Sequence, residues 1–233
     1  MTLGKPGRPL VILKTKMLQP LMHVLSSKRI ILASGSPRRR ELLSRYGLEF
    51  DVEPSTYDES KLKAGDFPSP GAYAEQLAYE KAAEVVRRLD RQIDAPDLVI
   101  GADTIVTLDG QVYGKPVDKQ DAFNMISKFS GRTHHVYTGV TVLRRLDYGH
   151  WTPDRFSEVT AVHMDTLPAD VIHSYVNTSE PMDKAGGYGI QALGGTFISG
   201  IDGDYYNVVG LPVHRLCKLL YRLYGSKDGS SER

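Results

Sequence analysis

The stretch Arg29-Ile-Ile-Leu-Ala-Ser-Gly-Ser-Pro-Arg-Arg-Arg-Glu41 changes character halfway along. Arg29 to Ala33 has strand length and is apolar after its first residue. Ser34-Gly35-Ser36 is a small-residue turn. Ser36 then suits a helix N-cap, and Pro37 suits the first helical position, where its missing N–H costs nothing. A strand, a tight loop and a helix start in so short a span read as the opening of an α/β fold. Arg38, Arg39 and Arg40 then stand in the wrong place. A helix N-terminus carries about +0.5 of an elementary charge, so each cation there costs roughly 0.3–1 kcal/mol. An anion reverses the sign, because backbone N–H groups and guanidinium forks can grip the same phosphate oxygens. Solvated arginines paired with nearby acids are the alternative reading. No Walker pattern follows the strand, so an ordinary P-loop is excluded.

Working outward, Phe50–Glu53 reads as a second strand. Ser69-Pro70 repeats the cap-plus-proline signal and starts a long helix running to about Asp90. Asp97–Val106 has the apolar density of a central strand, and Leu108-Asp-Gly-Gln111 is a turn. A helix follows from Lys119 to Phe129, stopped by Gly131. Strands are expected near 134–144 and 156–164, the second with Phe156, Val159 and Ala161 inward. A helix over 168–177 leads into a glycine-rich loop, 185–195. Phe197–Ser199 and Tyr206–Val209 read as strands. The last helix lines up Val213, Leu216, Cys217, Leu220 and Leu223 on one face. No repeat and no linker interrupts this order. It predicts one α/β domain, residues 28–225, with a mixed twisted sheet flanked by helices. Residues 1–27 and 226–233 are expected to be a disordered basic extension and a disordered tail.

The chain of 233 residues carries 29 basic and 28 acidic residues, so its overall charge gives no reason to expect a nucleic-acid partner. No apolar run approaches the roughly 20 residues a membrane-spanning helix needs, so no membrane partner is expected either. Cys217 is the single cysteine, which rules out an internal disulfide and fits a reducing compartment. A cytoplasmic location is the expectation. The first 40 residues hold nine Lys or Arg and no acid, so a mitochondrial transit segment is the alternative, and Met17 is a second start candidate.

Three residues break the local rules in ways that suggest chemistry. Asp103 lies among residues that want burial, so its carboxylate must be hydrogen-bonded, metal-bound or protonated. An Asp capping a local turn is the structural alternative. Lys81 falls on the apolar stripe of its helix with Ala74, Leu77, Ala78 and Val85, where it either faces a site or snorkels to solvent. Gly187-Tyr-Gly-Ile-Gln-Ala192 matches a dinucleotide-binding pattern, but no strand precedes it and no helix convincingly follows. A flexible loop presenting the amide of Gln191, both donor and acceptor, to a ligand edge is the better reading. Lys115 and the adjacent acids Asp58 and Glu59 carry no signal alone. No Cys or His stands at the spacing of a structural zinc site.

Several motifs occur together in order: Leu32-Ala-Ser-Gly-Ser-Pro-Arg-Arg39, Ile100-Gly-Ala-Asp-Thr104, Gly114-Lys-Pro116, Ser130-Gly-Arg132 with Thr138-Gly-Val140, and Asp183-Lys-Ala-Gly-Gly-Tyr-Gly-Ile-Gln191. With them the sequence resembles the Maf family of nucleoside triphosphate pyrophosphatases over about Arg29 to Tyr224. The resemblance implies a fold similar to inosine triphosphate pyrophosphatases, commonly as a homodimer. It also implies cleavage between the α and β phosphates of a nucleoside triphosphate with a divalent cation, Mg²⁺ or Mn²⁺. By motif, Asp103 would be the proton acceptor. Ser34, Arg38, Arg39, Glu59, Lys81 and Lys115 would line the phosphate and metal site, with Glu59 and Asp103 the metal candidates. Arg39, Thr104 and Gln191 match the dTTP/UTP subgroup rather than the 7-methyl-GTP subgroup. A catalytically silent nucleotide-binding module is the alternative of a different kind. The basic extension and the third arginine, Arg40, depart from the family pattern.

Overall fold

The structure, a computed structural model, describes residues 17–146 and 149–225. Among these described residues seven strands form one mixed sheet: β1 (Ile30–Leu32), β2 (Asp51–Val52), β3 (Leu98–Leu108), β4 (Gln111–Tyr113), β5 (Thr133–Arg145), β6 (Trp151–Met164) and β7 (Ile198–Asp202). Their order is β2-β1-β3-β5-β6-β7, with β4 also paired to β3. β1 is parallel to β2 and β3, and all other pairings are antiparallel. The helices are α1 (Met22–Leu25), α2 (Pro37–Arg45), α3 (Pro70–Leu89), α4 (Lys119–Phe129), α5 (Ala169–Val176), α6 (Tyr205–Val209) and α7 (Val213–Tyr224). No helix among the described residues is long and apolar enough to cross a membrane.

β3 is covered on both faces, as its unbroken apolar sequence demands. Side chains alternate across it. Leu98, Ile100 and Ala102 pack with Leu42 and Leu43 of α2 and with Leu216 and Leu220 of α7. Val99 faces the other way and packs with Ala82, Val85 and Val86 of α3. α3 lies unusually near the sheet because glycines and alanines meet there. A Cβ at Gly101 would stand 2.3 Å from the carbonyl oxygen of Ala78, and one at Gly139 would stand 2.2 Å from the carbonyl of Ala74. A second core, built on α4 and α5, fills the far end of the sheet with Phe129, Ile126, Ile172 and Tyr175.

The sheet is split at one edge. β1 pairs with β3 only at 98–100, and β4 pairs with it only at 106–108. β5 runs along the opposite edge from 98 to 107. Among the described residues no strand therefore pairs with 101–105 of β3 on the β1/β4 side, and the sheet opens there as a notch.

Three expectations differ from what is found. Tyr206–Val209 is helical: Asp204 caps it by accepting from the Tyr206 N–H at 2.8 Å, and Gly210, at φ 119°, ends it. Its apolar pair Val208-Val209 is too short for periodicity to decide between strand and helix. In β6 the inward side chains are Phe156, Thr160, Val162 and Met164, while Val159 is exposed. Residues 156 and 159 have opposite parity and cannot share a face of one strand. The folded part also begins before Lys28, since Leu18, Leu21 and Leu25 are buried in the same core as α7. Residues 1–16 and the tail 226–233 lie outside the described residues.

Candidate active site

The notch opens into a cleft of about 1000 Å³. One wall is the turn after β1 and the start of α2. Ser36 stands at the N-cap but its side chain makes no capping bond, so the first amides of α2 are left open. Ser34, Arg38 and Arg39 line the cleft beside them, and Arg40 is exposed away from it. Arg38 donates to Asp183 Oδ2 at 2.7 Å and to the Asp183 carbonyl at 3.2 Å, which ties α2 to the glycine-rich loop across the cleft.

Asp103 and Thr104 are neighbours in β3, so they project to opposite faces of the sheet. The notch lets one cleft reach both. On the α3 face, Asp103 is 6 % exposed. Lys81 Nζ donates to Asp103 Oδ1 and lies 2.7 Å from Glu59 Oε1. The stripe position of Lys81 thus places its ammonium between two carboxylates. Burial pushes the Asp103 carboxyl above the usual carboxylate range, and the charges of Lys81 and Arg39 oppose that shift.

On the other face, Arg39 is committed to the protein. Its Nε donates to the Gly210 carbonyl at 2.8 Å, one Nη to Ser34 Oγ at 3.0 Å and the other to Thr104 Oγ1 at 2.9 Å. Burial lowers its pKa, with the Asp103 charge opposing the shift. Arg39 therefore differs from Arg38. It is a half-buried strut with two of five N–H groups left, whereas Arg38 has an exposed carboxylate as partner that a polyanion can displace. Lys115 and Gln191 are exposed at the cleft rim.

The cleft brings together Ser34, Arg38, Arg39, Glu59, Lys81, Asp103, Thr104, Lys115 and Gln191. It also holds residues that sequence reasoning did not single out. Asp183 and Lys184 line it, and the Lys184 ammonium bonds Asp183 Oδ1 at 2.5 Å and the Glu180 carbonyl at 2.7 Å. Their place in the Asp183–Gln191 motif was the available signal. Tyr188 lines the cleft and bonds the buried His134 at 2.6 Å, anchoring the loop. Nothing in the local pattern marked that pair. Among the described residues no three His, Cys, Asp or Glu side chains converge as a ready-made metal cage.

With this geometry in view, the comparison with known families is decisive: the Maf-like protein family matches residues 29–223, nearly the whole described fold. The chain belongs to the Maf-like protein family. Its curated relatives include a probable bifunctional dTTP/UTP pyrophosphatase/methyltransferase protein of Homo sapiens, 49% identical over 209 residues. That match covers 88% of this chain and 34% of the human protein, so this Maf-like chain spans about a third of that relative. A dTTP/UTP pyrophosphatase of Clostridium novyi is 47% identical over 82% of this chain and 95% of its own length. One from Thermoanaerobacter pseudethanolicus is 42% identical over 83% and 96%. Among solved structures, the Ham1 protein of Staphylococcus aureus overlaps 84% of the Maf-like chain with a TM-score of 0.46 at 14% identity, covering all of that protein.

Proposed function

We propose that this Maf-like chain hydrolyses dTTP and UTP to the nucleoside monophosphate and pyrophosphate. The observation that carries the reading is the Asp103–Lys81–Glu59 cluster, with Asp103 buried and Glu59 on its exposed side, set in a notch opposite the open N-terminus of α2 and Arg38. The names carried by the full-length bacterial relatives support the substrate class.

A triphosphate brings about four negative charges, and attack on its α phosphorus needs them neutralised and the nucleophile in line. The open amides of α2, Ser34, Arg38 and Lys115 are the groups that grip phosphate oxygens. Asp103 accepts the proton of the attacking water at a carboxylate oxygen, and Lys81 holds that carboxylate in place. The residues fit a divalent cation, Mg²⁺ or Mn²⁺. Glu59 and Asp103 already converge on one cation, the Lys81 ammonium, and one or two carboxylates completed by phosphate and water suit such ions. When bound, the ion spreads the charge of the phosphate oxygens and the leaving pyrophosphate. Mere binding of a nucleotide would need no buried base beside the phosphate site, which favours an enzyme over a silent module.

The test is pyrophosphate release with Mg²⁺ or Mn²⁺ from dTTP, UTP, CTP, 7-methyl-GTP, ATP and ITP. Release from dTTP and UTP well above the purines is expected. Release from 7-methyl-GTP alone would overturn the substrate class, and release from none by folded protein would overturn the activity.

A further inference from the structure

The hydroxyl of Thr104 belongs to a hydrogen-bonded chain whose direction can be worked out atom by atom. The far end of the chain is Asn207, fully buried in α6. Its Nδ2 donates to the Val136 carbonyl at 2.9 Å and to Thr160 Oγ1 at 3.0 Å, which pins α6 to β5 and β6. The backbone carbonyl oxygen of Asn207, which also accepts from the Gly210 N–H at 3.0 Å, can only accept. It lies 3.0 Å from Thr138 Oγ1, and Thr138 is fully buried. The single proton of the Thr138 hydroxyl is therefore spent on Asn207. Reversing the chain would press a Thr138 lone pair against that carbonyl with no water to relieve it.

The consequence passes to the cleft. Thr104 Oγ1 and Thr138 Oγ1 are 2.9 Å apart, and with the Thr138 proton spent, Thr104 must be the donor between them. Thr104 Oγ1 also accepts from Arg39 at 2.9 Å. Its proton is used and one lone pair remains. Toward a ligand in the cleft, Thr104 is an acceptor only. The adjoining Arg39 Nη keeps one N–H free, so an acceptor and a donor stand side by side.

We infer that Thr138 is a positioning residue for base selection: it fixes Thr104 as an acceptor that reads the N3–H of a uracil or thymine ring, beside an Arg39 N–H that reads a ring carbonyl. This rests on the proposed pyrimidine substrate. A cytosine ring offers a bare N3 acceptor at that place, lone pair against lone pair, and is disfavoured. Gln191, at the rim, does not impose this choice, because its amide can turn to offer either polarity.

The experiment compares Thr138→Val, which removes the hydroxyl at nearly constant shape, with Thr138→Ser, which keeps it. The readouts are the UTP:CTP ratio of kcat/KM and the UMP:CMP ratio of binding constants by calorimetry. Thr138→Val is expected to lower both ratios by about tenfold, the scale of one well-placed hydrogen bond, because Thr104 becomes free to rotate and donate. Thr138→Ser is expected to hold the wild-type ratios. Should Thr138→Val fail to fold, Thr138→Cys, with a weak S–H donor, is expected to give an intermediate loss. Unchanged ratios in folded Thr138→Val, or an equal loss in Thr138→Ser, would overturn the inference. No turnover of any nucleotide, with a UMP preference that Thr138→Val erases, would overturn the proposed activity and leave the role of Thr138 standing.

Discussion

Gly139 is the cross-strand partner of Asp103, and the structure predicts what a single methyl group there would do. The added Cβ in Gly139→Ala would sit 2.2 Å from the backbone carbon and oxygen of Ala74 and 2.3 Å from the Glu75 nitrogen. All three are helix backbone and cannot rotate aside. To widen 2.2 Å to the 3.4 Å of ordinary contact, α3 must retreat by about 1.2 Å from the sheet. Overpacking of this kind costs about 1–3 kcal/mol. At roughly 2–4 °C per kcal/mol for a domain of this size, the midpoint of thermal unfolding should fall by about 2–12 °C. Lys81 rides on the same helix, two turns further on, so its ammonium should withdraw from Asp103 with the backbone. Misplacement by about 1 Å can cost roughly a hundredfold in rate. Thermal unfolding and pyrophosphate release from dTTP measure the two effects. Gly65→Ala, where a Cβ meets nothing within 4 Å, is the control. Wild-type stability and turnover in Gly139→Ala would refute the close seating of α3. Lowered stability with unchanged turnover would refute the claim that this seating positions Lys81.

Asp103→Asn should keep the fold and lose most turnover, since the amide cannot accept the water's proton; a near-wild-type rate would remove Asp103 from its role. Arg38→Met breaks a half-exposed ion pair, so stability should change by under about 1 kcal/mol, while KM for the triphosphate should rise at least tenfold. An unchanged KM would mean that Arg38 does not leave Asp183 for phosphate. Chelation of divalent ions should abolish pyrophosphate release, and Mg²⁺ or Mn²⁺ should restore it; full activity in chelator would exclude the carboxylate-held ion. His134 is fully buried, and burial lowers its pKa from 6.5 to about 4. The unfolded chain then takes up a proton below pH 6.5 that the native state refuses. Stability is full above that pH and falls as pH drops toward 4, by about 2 kcal/mol at pH 5. Urea unfolding should show this slope in the wild type and a flatter one in His134→Phe; equal slopes would assign the acid sensitivity elsewhere.

Much of the candidate site was legible because its residues violate local rules. Arginines in the first turn of α2 and a carboxylate inside the apolar run of β3 stand out against propensity. A lysine on the buried stripe of α3 stands out against amphipathic patterning. Each violation is costly in isolation and is compensated only by a partner, so each points to a site. Glu59 and Lys115 were legible only through the family resemblance, because an exposed polar residue breaks no rule, whereas Gln191 stood out through the glycine-rich loop that carries it. The strand assigned to Tyr206–Val209 failed because its helix is decided by the local cap at Asp204, a signal the apolar pair outweighed, and by the burial of Asn207, whose amide bonds Val136 and Thr160 far away in the chain.

Most of the order of elements, the single α/β domain, and the strand-turn-helix opening follow from the sequence alone, because hydrophobic period, caps and turn residues act over a few positions. Only the tertiary structure decided that β1 and β4 share one edge of β3 and leave a notch between them, since pairing partners lie far apart in the chain. That notch joins Asp103 on one face with Thr104 on the other. The difference between Arg38 and Arg39, identical neighbours in sequence, likewise arises in space. One faces an exposed carboxylate, and the other is bonded to Gly210, Ser34 and Thr104. What a charged group can do depends on the solvent and the partners around it, and those are set by the packing of the whole chain.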